Sequence, residues 1–186
     1  MRYRYFIPMI VLVGIVALLA YTLNRGWSTQ PEDDPTYVPS PLIGKTVPAF
    51  DLAVLATPPA EPPARFTQAD LKGRPAVINF FASWCVACRD EHPFLMQLAH
   101  GDQVSIIGID YKDTPQAARR LLGEHGDPYH LILEDPEGAM GLNWGVYGIP
   151  ETYLVDAHGI VRYKQVGPMT PAAWRKHFQP LLEAAR

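Results

Sequence analysis

The chain opens on its most apolar stretch. From Phe6 to Leu23 eighteen consecutive residues carry no charge, and a helix rising roughly 1.5 Å per residue over that run nearly spans a hydrocarbon layer about 30 Å thick. Residues 6–23 are therefore read as a transmembrane anchor. Arg2 and Arg4 precede it, whereas one Arg25 and then acids follow, so the bias of basic residues toward the cytoplasm places 1–5 inside and the bulk of the chain outside. A cleaved signal peptide is the alternative reading, but its apolar region is commonly about 7–15 residues long and ends in small residues. Residues 24–41, NRGWSTQPEDDPTYVPSP, show neither helical nor strand period and read as a proline-rich tether.

From residue 42 onward the pattern alternates between short apolar runs and amphipathic ones. AVINFF (Ala76–Phe81) and VSIIGID (Val104–Asp110) lack polar alternation, as strands covered on both faces do. Thr114 as N-cap and Pro115 in the first turn open a helix to about His125, with Ala117, Ala118, Leu121 and Leu122 on one face. YHLILED is a further strand and GLNWGVY a short helical or irregular turn. ETYLVDAHGIVRYKQV gives two strands around DAHG. Thr170 and Pro171 start a last helix carrying Trp174, Phe178, Leu181 and Leu182 at core spacing. TPPAEPPA (Thr57–Ala64) reads as a surface loop. Residues 42–186 thus form a mixed-sheet α/β domain, with a central sheet flanked by helices and a hairpin near its end.

Composition narrows the function classes. With 186 residues, 48% hydrophobic and 19% charged, there is room for one globular domain plus appendages. A formal net charge of -3 and the lack of a clustered basic face argue against nucleic acid as a partner.

The chemistry concentrates in NFFASWCVACRDEHP. Cys85 and Cys88 are the chain's two cysteines, and the passage from strand to helix after Phe81 puts Cys85 at or near a helix start. Unpaired N–H groups and the helix dipole there favour a thiolate. Cys88 lies one turn on, within disulfide reach. The expected division is an exposed, attacking Cys85 and a more buried, resolving Cys88. Three other readings compete. A structural disulfide across so short a gap removes little loop entropy; a zinc site needs four ligands, and His92 has no partner at motif spacing; inert buried thiols leave the surrounding motif unexplained. A C-x-x-C pair beside a βαβ pattern is a general signature of thioredoxin-like redox proteins. Pro93, five residues after Cys88, is expected to remove the hydrogen bond to the Arg89 carbonyl and kink the helix, as in thioredoxins.

Together NFFASWCVACRDEHP, GIDYKD, GVYGIPETYLVD, GIVRY and the anchor resemble the thiol:disulfide interchange proteins of cytochrome c maturation, the DsbE/CcmG group of the thioredoxin-like superfamily. The resemblance runs from about Ile43 to the C-terminus. It implies a thioredoxin-like fold behind an inner-membrane anchor, with the domain in the periplasm. The disulfide of Cys85 and Cys88 would be the redox centre, with no bound cofactor and no metal. Electrons would pass to the heme-binding cysteines of apocytochrome c, directly or through a maturation partner, and be replenished by a membrane electron donor of the DsbD or CcdA type. Ile149 and Pro150 resemble the family's cis-proline loop facing the cysteines, whose backbone pairs with an extended substrate; Trp84 is expected to border that site. The Val86–Ala87 dipeptide departs from the family's usual proline after the first cysteine. A general periplasmic reductase on the same fold, or a binding module that holds apocytochrome or a metal without turnover, are the alternatives.

Acidic residues bear on the direction of electron flow. Stabilising the attacking thiolate makes a couple oxidising, so negative charge near Cys85 pushes it toward reductant. Asp90 and Glu91 in the active-site helix and Glu151 beside Pro150 are the candidates, with a solvated helix face as the alternative for Asp90 and the resemblance favouring Glu91 and Glu151. Asn79 occupies the strand position where classical thioredoxins place a buried aspartate. Asparagine cannot accept a proton, and Glu91 or Glu151 is expected to help deprotonate Cys88 instead.

Overall fold

The computed structural model describes residues 6–26, 40–55, 64–101 and 104–184, with backbone only for 6–10 and 22–26. It divides into an N-terminal unit and a globular domain, each taken by itself below.

The N-terminal unit contains one helix, α1 (Phe6–Gly26), with Val11 to Tyr21 exposed. Among the described residues no helix is long and apolar enough to cross a membrane; the span expected over 6–23 extends beyond the described side chains at both ends. Of the tether expected over 24–41, residues 27–39 lie outside the described residues.

The domain is built on one seven-stranded sheet in the order β2-β1-β5-β4-β3-β6-β7. Its strands are β1 (Asp51–Val54), β2 (Arg65–Thr67), β3 (Ala76–Phe81), β4 (Ser105–Tyr111), β5 (Leu131–Asp135), β6 (Glu151–Val155) and β7 (Val161–Val166). β3, β4 and β5 run parallel, while β1 and β6 join them antiparallel. The sheet is therefore mixed, as the alternation of elements predicts. All six residues of β3 are buried, which is why AVINFF shows no polar alternation.

Two hydrophobic layers cover the sheet. One holds Val77, Phe81, Cys85, Cys88, Leu95, Ile106, Tyr129, Leu154 and Phe178; the other holds Ile78, Phe80, Ile109, Leu133, Trp144, Tyr153 and Val155. Successive residues of a strand alternate between the layers, so Asn79 and Thr152 face the cysteine side and Glu151 the other. Gly108 in β4 is needed for this packing: a Cβ there would meet Phe81 and Tyr129 at 2.9 Å, where their rings stack.

α2 (Val86–His100) continues through Pro93 to His100. α3 (Pro115–His125) matches its predicted bounds, capped by the Thr114 hydroxyl, with Ala118, Leu121 and Leu122 buried. α4 (Ala139–Trp144) opens on the Asp135 carboxylate, which accepts from Met140 N and Gly141 N. The last helix is not uniform: α5 (Pro171–Ala173) passes through a π turn (Trp174–Phe178) into α6 (Gln179–Ala184). Pro180 has no N–H to offer Lys176, and the widened turn carries the bond from Gln179 N to the Trp174 carbonyl instead. The DAHG turn joins β6 to β7, with Gly159 at φ 78° and Asp156 Oδ1 accepting from the His158 and Ile160 amides.

The sequence pattern misses the β1–β2 hairpin. Val54 N donates to the Ala64 carbonyl at its loop end; residues 57–63 of the proline-rich segment lie outside the described residues.

Candidate active site

β3 ends at Phe81 and α2 begins at Val86, so Cys85 becomes the N-cap, with φ -86° and ψ 111°. Its Sγ accepts from the Cys88 amide at 3.1 Å, the donor geometry that stabilises a thiolate once the bond is reduced. Cys85 and Cys88 form a disulfide with Cα atoms 5.3 Å apart. The expected exposure difference between them is absent: each is 5% exposed. The Cys85 sulfur lies 3.6 Å from the Ile149 carbonyl oxygen, and the exposed positions are its neighbours Trp84 (55%) and Val86 (65%). The Ile149–Pro150 peptide is cis, as the resemblance implies.

A second loop braces the first. Trp84 Nε1 donates to the Lys112 carbonyl at 3.1 Å, and the Ser83 amide donates to Asp113 Oδ2 at 2.6 Å. Because β3 and β4 are parallel, with Phe81 paired to Asp110, the segment leaving β4 wraps the segment leaving β3.

Glu91 follows Cys88 by three residues and shares its helix face. Its carboxyl is buried and accepts from Asn79 Nδ2 at 2.8 Å and from Met169 N at 2.5 Å. Burial drives its pKa up to about 7, against the pull of those two neutral donors. Asn79 in turn donates to Thr152 Oγ1 and accepts from Tyr129 OH. An aspartate at position 79 would place a second carboxylate against Glu91, whereas the amide satisfies it.

Glu151 sits elsewhere. Its side chain faces the layer away from the cysteines, fully buried, with Oε2 at 2.9 Å from Lys164 Nζ and accepting from Tyr153 OH at 3.3 Å. The structure therefore brings Asn79 and Glu91 onto the cysteine face and separates Glu151 from them.

Four residues of this neighbourhood escape sequence reasoning. Tyr129 and Met169 enter by tertiary contact alone. Lys164 reads as a polar position in an edge strand. Asp110 closes the otherwise apolar run of β4, which is a usable signal: it is buried, its Oδ1 has no hydrogen-bond partner among the described residues, and burial, with Asp113 and Glu134, lifts its pKa to about 8. Among the described residues no group of three or more His, Cys, Asp or Glu side chains is placed to hold a metal ion.

The Redoxin family model matches residues 42–177. The chain is 46% identical over 172 residues to the thiol:disulfide interchange protein DsbE of Pseudomonas aeruginosa, covering 92% of this chain and 90% of that one. It is 42% identical over 179 residues to DsbE of Escherichia coli strain K12, covering 95% and 92%. The chain belongs to the DsbE thiol:disulfide interchange family. Among solved structures, DsbF of MTB, in its mixed oxidized and reduced forms, superposes with a TM-score of 0.61 at 26% identity, covering 81% of this chain and all of that one. StoA from Bacillus subtilis shares the fold, with a TM-score of 0.55 at 19% identity over 73% of this chain and 97% of that one. The domain has the thioredoxin-like fold, and as a DsbE-family member with a Cys85–Cys88 disulfide the protein is a thiol-disulfide oxidoreductase.

Proposed function

We propose that this DsbE-family protein is a periplasmic reductant, anchored in the inner membrane by residues 6–23, that reduces the heme-binding cysteines of apocytochrome c in cytochrome c biogenesis. Support comes from the uncharged N-terminal run, the family membership and the buried acid beside the cysteines. The Cys85 thiolate attacks one sulfur of the client disulfide, a mixed disulfide forms, and the other client sulfur leaves as a thiolate. Cys88 then attacks Cys85 Sγ, releasing the reduced client and leaving this chain oxidised, two electrons poorer. The dithiol is restored by a membrane electron donor of the DsbD or CcdA type; the anchor keeps the domain near that donor, where glutathione does not reach. The chemistry requires no further cofactor. Trp84, Ile149 and Pro150 border the entering client.

The observation that carries this reading is the cap geometry: one sulfur at a helix N-terminus, its partner a turn deeper, and Glu91 a turn beyond. Glu91 is the group that takes the proton of Cys88 as it becomes the resolving nucleophile, since a carboxyl titrating near 7 can both accept and release a proton at neutral pH. The test is a trap. Cys88→Ala in the full-length chain is expected to accumulate a covalent, dithiothreitol-sensitive adduct with apocytochrome c. Adducts confined to unrelated envelope proteins would point to a general reductase, and a non-covalent complex indifferent to both cysteines would make the protein a binder.

A further inference from the structure

Lys164 lies in β7, far in sequence from the redox motif and almost fully buried, 5% exposed. Its ammonium makes a 2.9 Å bond to the Gly145 carbonyl, a 2.9 Å ion pair with Glu151 Oε2, and stands 4.7 Å from the centre of the Tyr147 ring and 5.4 Å from that of Tyr153. Gly145, Tyr147 and Glu151 belong to one stretch of chain: the loop from the end of α4, through Ile149 and Pro150, to the start of β6. That loop presents the Ile149 carbonyl to Cys85. A single buried cation therefore touches the loop on both sides of the part that faces the disulfide, at Gly145 and Tyr147 before it and at Glu151 after it.

We propose that Lys164 is a positioning residue for client binding, holding the 145–151 loop against the redox pair. Three features favour this over a general stabilising role. The contacts converge on one loop. The pair is of a kind that is costly to bury, and Glu151 Oε1 finds no hydrogen-bond partner among the described residues, so stability alone is a weak reason for it. Tyr147, with the Lys164 ammonium 4.7 Å from its ring centre, is 64% exposed, so the cation holds an aromatic ring at the surface of the loop that carries Ile149 and Pro150. An apolar side chain at 164 would bury the same volume without fixing the carbonyl, the carboxylate or the ring. Glu151 serves as the counter-charge of this clamp, which leaves Glu91 as the acid acting on the cysteines.

The inference rests on the thiol-disulfide exchange assigned to the site. Its test uses the full chain reduced by dithiothreitol and, as client, an oxidised peptide containing a Cys-Xaa-Xaa-Cys disulfide. Lys164→Met leaves Glu151 unpaired and tends to unfold the domain, so the deciding variant is Lys164→Met with Glu151→Gln, which removes both charges. This double variant is expected to fold, with KM for the peptide raised roughly tenfold while kcat changes by less than about twofold. Its own disulfide is expected to be reduced by dithiothreitol at the wild-type rate, since that small thiol does not need the loop. Lys164→Arg, which keeps the charge, is expected to retain KM within about twofold of wild type. A folded double variant with wild-type KM would overturn the proposal, as would an arginine variant no better than the double. A wild-type chain that fails to turn the peptide over would instead remove the exchange reading, and the clamp with it.

Discussion

Two glutamates lie buried near the redox loop, one on each face of the sheet, and their partners make them different chemical groups. Among the described residues Glu91 is held by an amide and a backbone N–H and by no cation, and burial lifts its pKa to about 7. Glu151 is ion-paired with Lys164 and accepts from Tyr153 OH. A carboxyl held by an amide and a backbone N–H in a dry layer can exchange its proton near neutral pH, whereas one ion-paired with a buried lysine is tied to the strand that carries its partner. Distance along the chain from a cysteine does not decide which role an acid takes; the set of donors around it does.

The contrast breaks most visibly at Lys164. Lys164→Met alone strands the Glu151 carboxylate and is expected to cost about 3–5 kcal/mol in urea unfolding, a large share of the 5–15 kcal/mol typical of a domain. Adding Glu151→Gln should recover most of that loss, and failure to recover it would show that the pair is not the source.

Glu91→Gln tests the other side. The folded pKa of about 7 exceeds the ordinary 4.5, so the wild-type domain has the stability linked to this group fully below about pH 4.5 and loses it as pH rises through 7. Between pH 5 and 8 the glutamine variant should show a flatter stability profile, by on the order of 2 kcal/mol. Its peptide-reduction rate should lose an inflection near pH 7; an unchanged inflection would remove Glu91 from the proton step.

Asp110 extends the contrast to a third buried carboxyl, one crowded by other acids. Its pKa is raised to about 8, first by burial and then by Asp113 and Glu134, so the sign is the same and the loss falls later, as pH rises through 8. Asp110→Asn should stabilise the domain at pH 8 relative to pH 6, by on the order of 1 kcal/mol, measured by paired melts. The smallest effect is expected from Tyr129→Phe, which deletes the donor to Asn79 Oδ1: about 1 kcal/mol of stability and a small shift in the Glu91-linked pH profile.

Much of this molecule is legible in the residue pattern. The apolar run of β3 gives a central strand, Thr114 and Pro115 give the start of α3, and Cys-x-x-Cys with the GVYGIPET stretch gives the redox site. The β1–β2 hairpin is not legible because its strands are four and three residues long and sit at the sheet's edge, too short to display a period. The equal burial of Cys85 and Cys88 escapes for a different reason: it depends on the Ile149 carbonyl, which closes over the sulfur from 64 residues away.

Local sequence determines where a helix starts and which sulfur caps it, because capping and strand burial depend on neighbours a few residues apart. Only the tertiary structure decides the partners of these buried groups, since Met169, Tyr129 and Lys164 reach Glu91, Asn79 and Glu151 from 78, 50 and 13 residues away, and the raised pKa of Glu91 comes from desolvation, a property of the assembled layers.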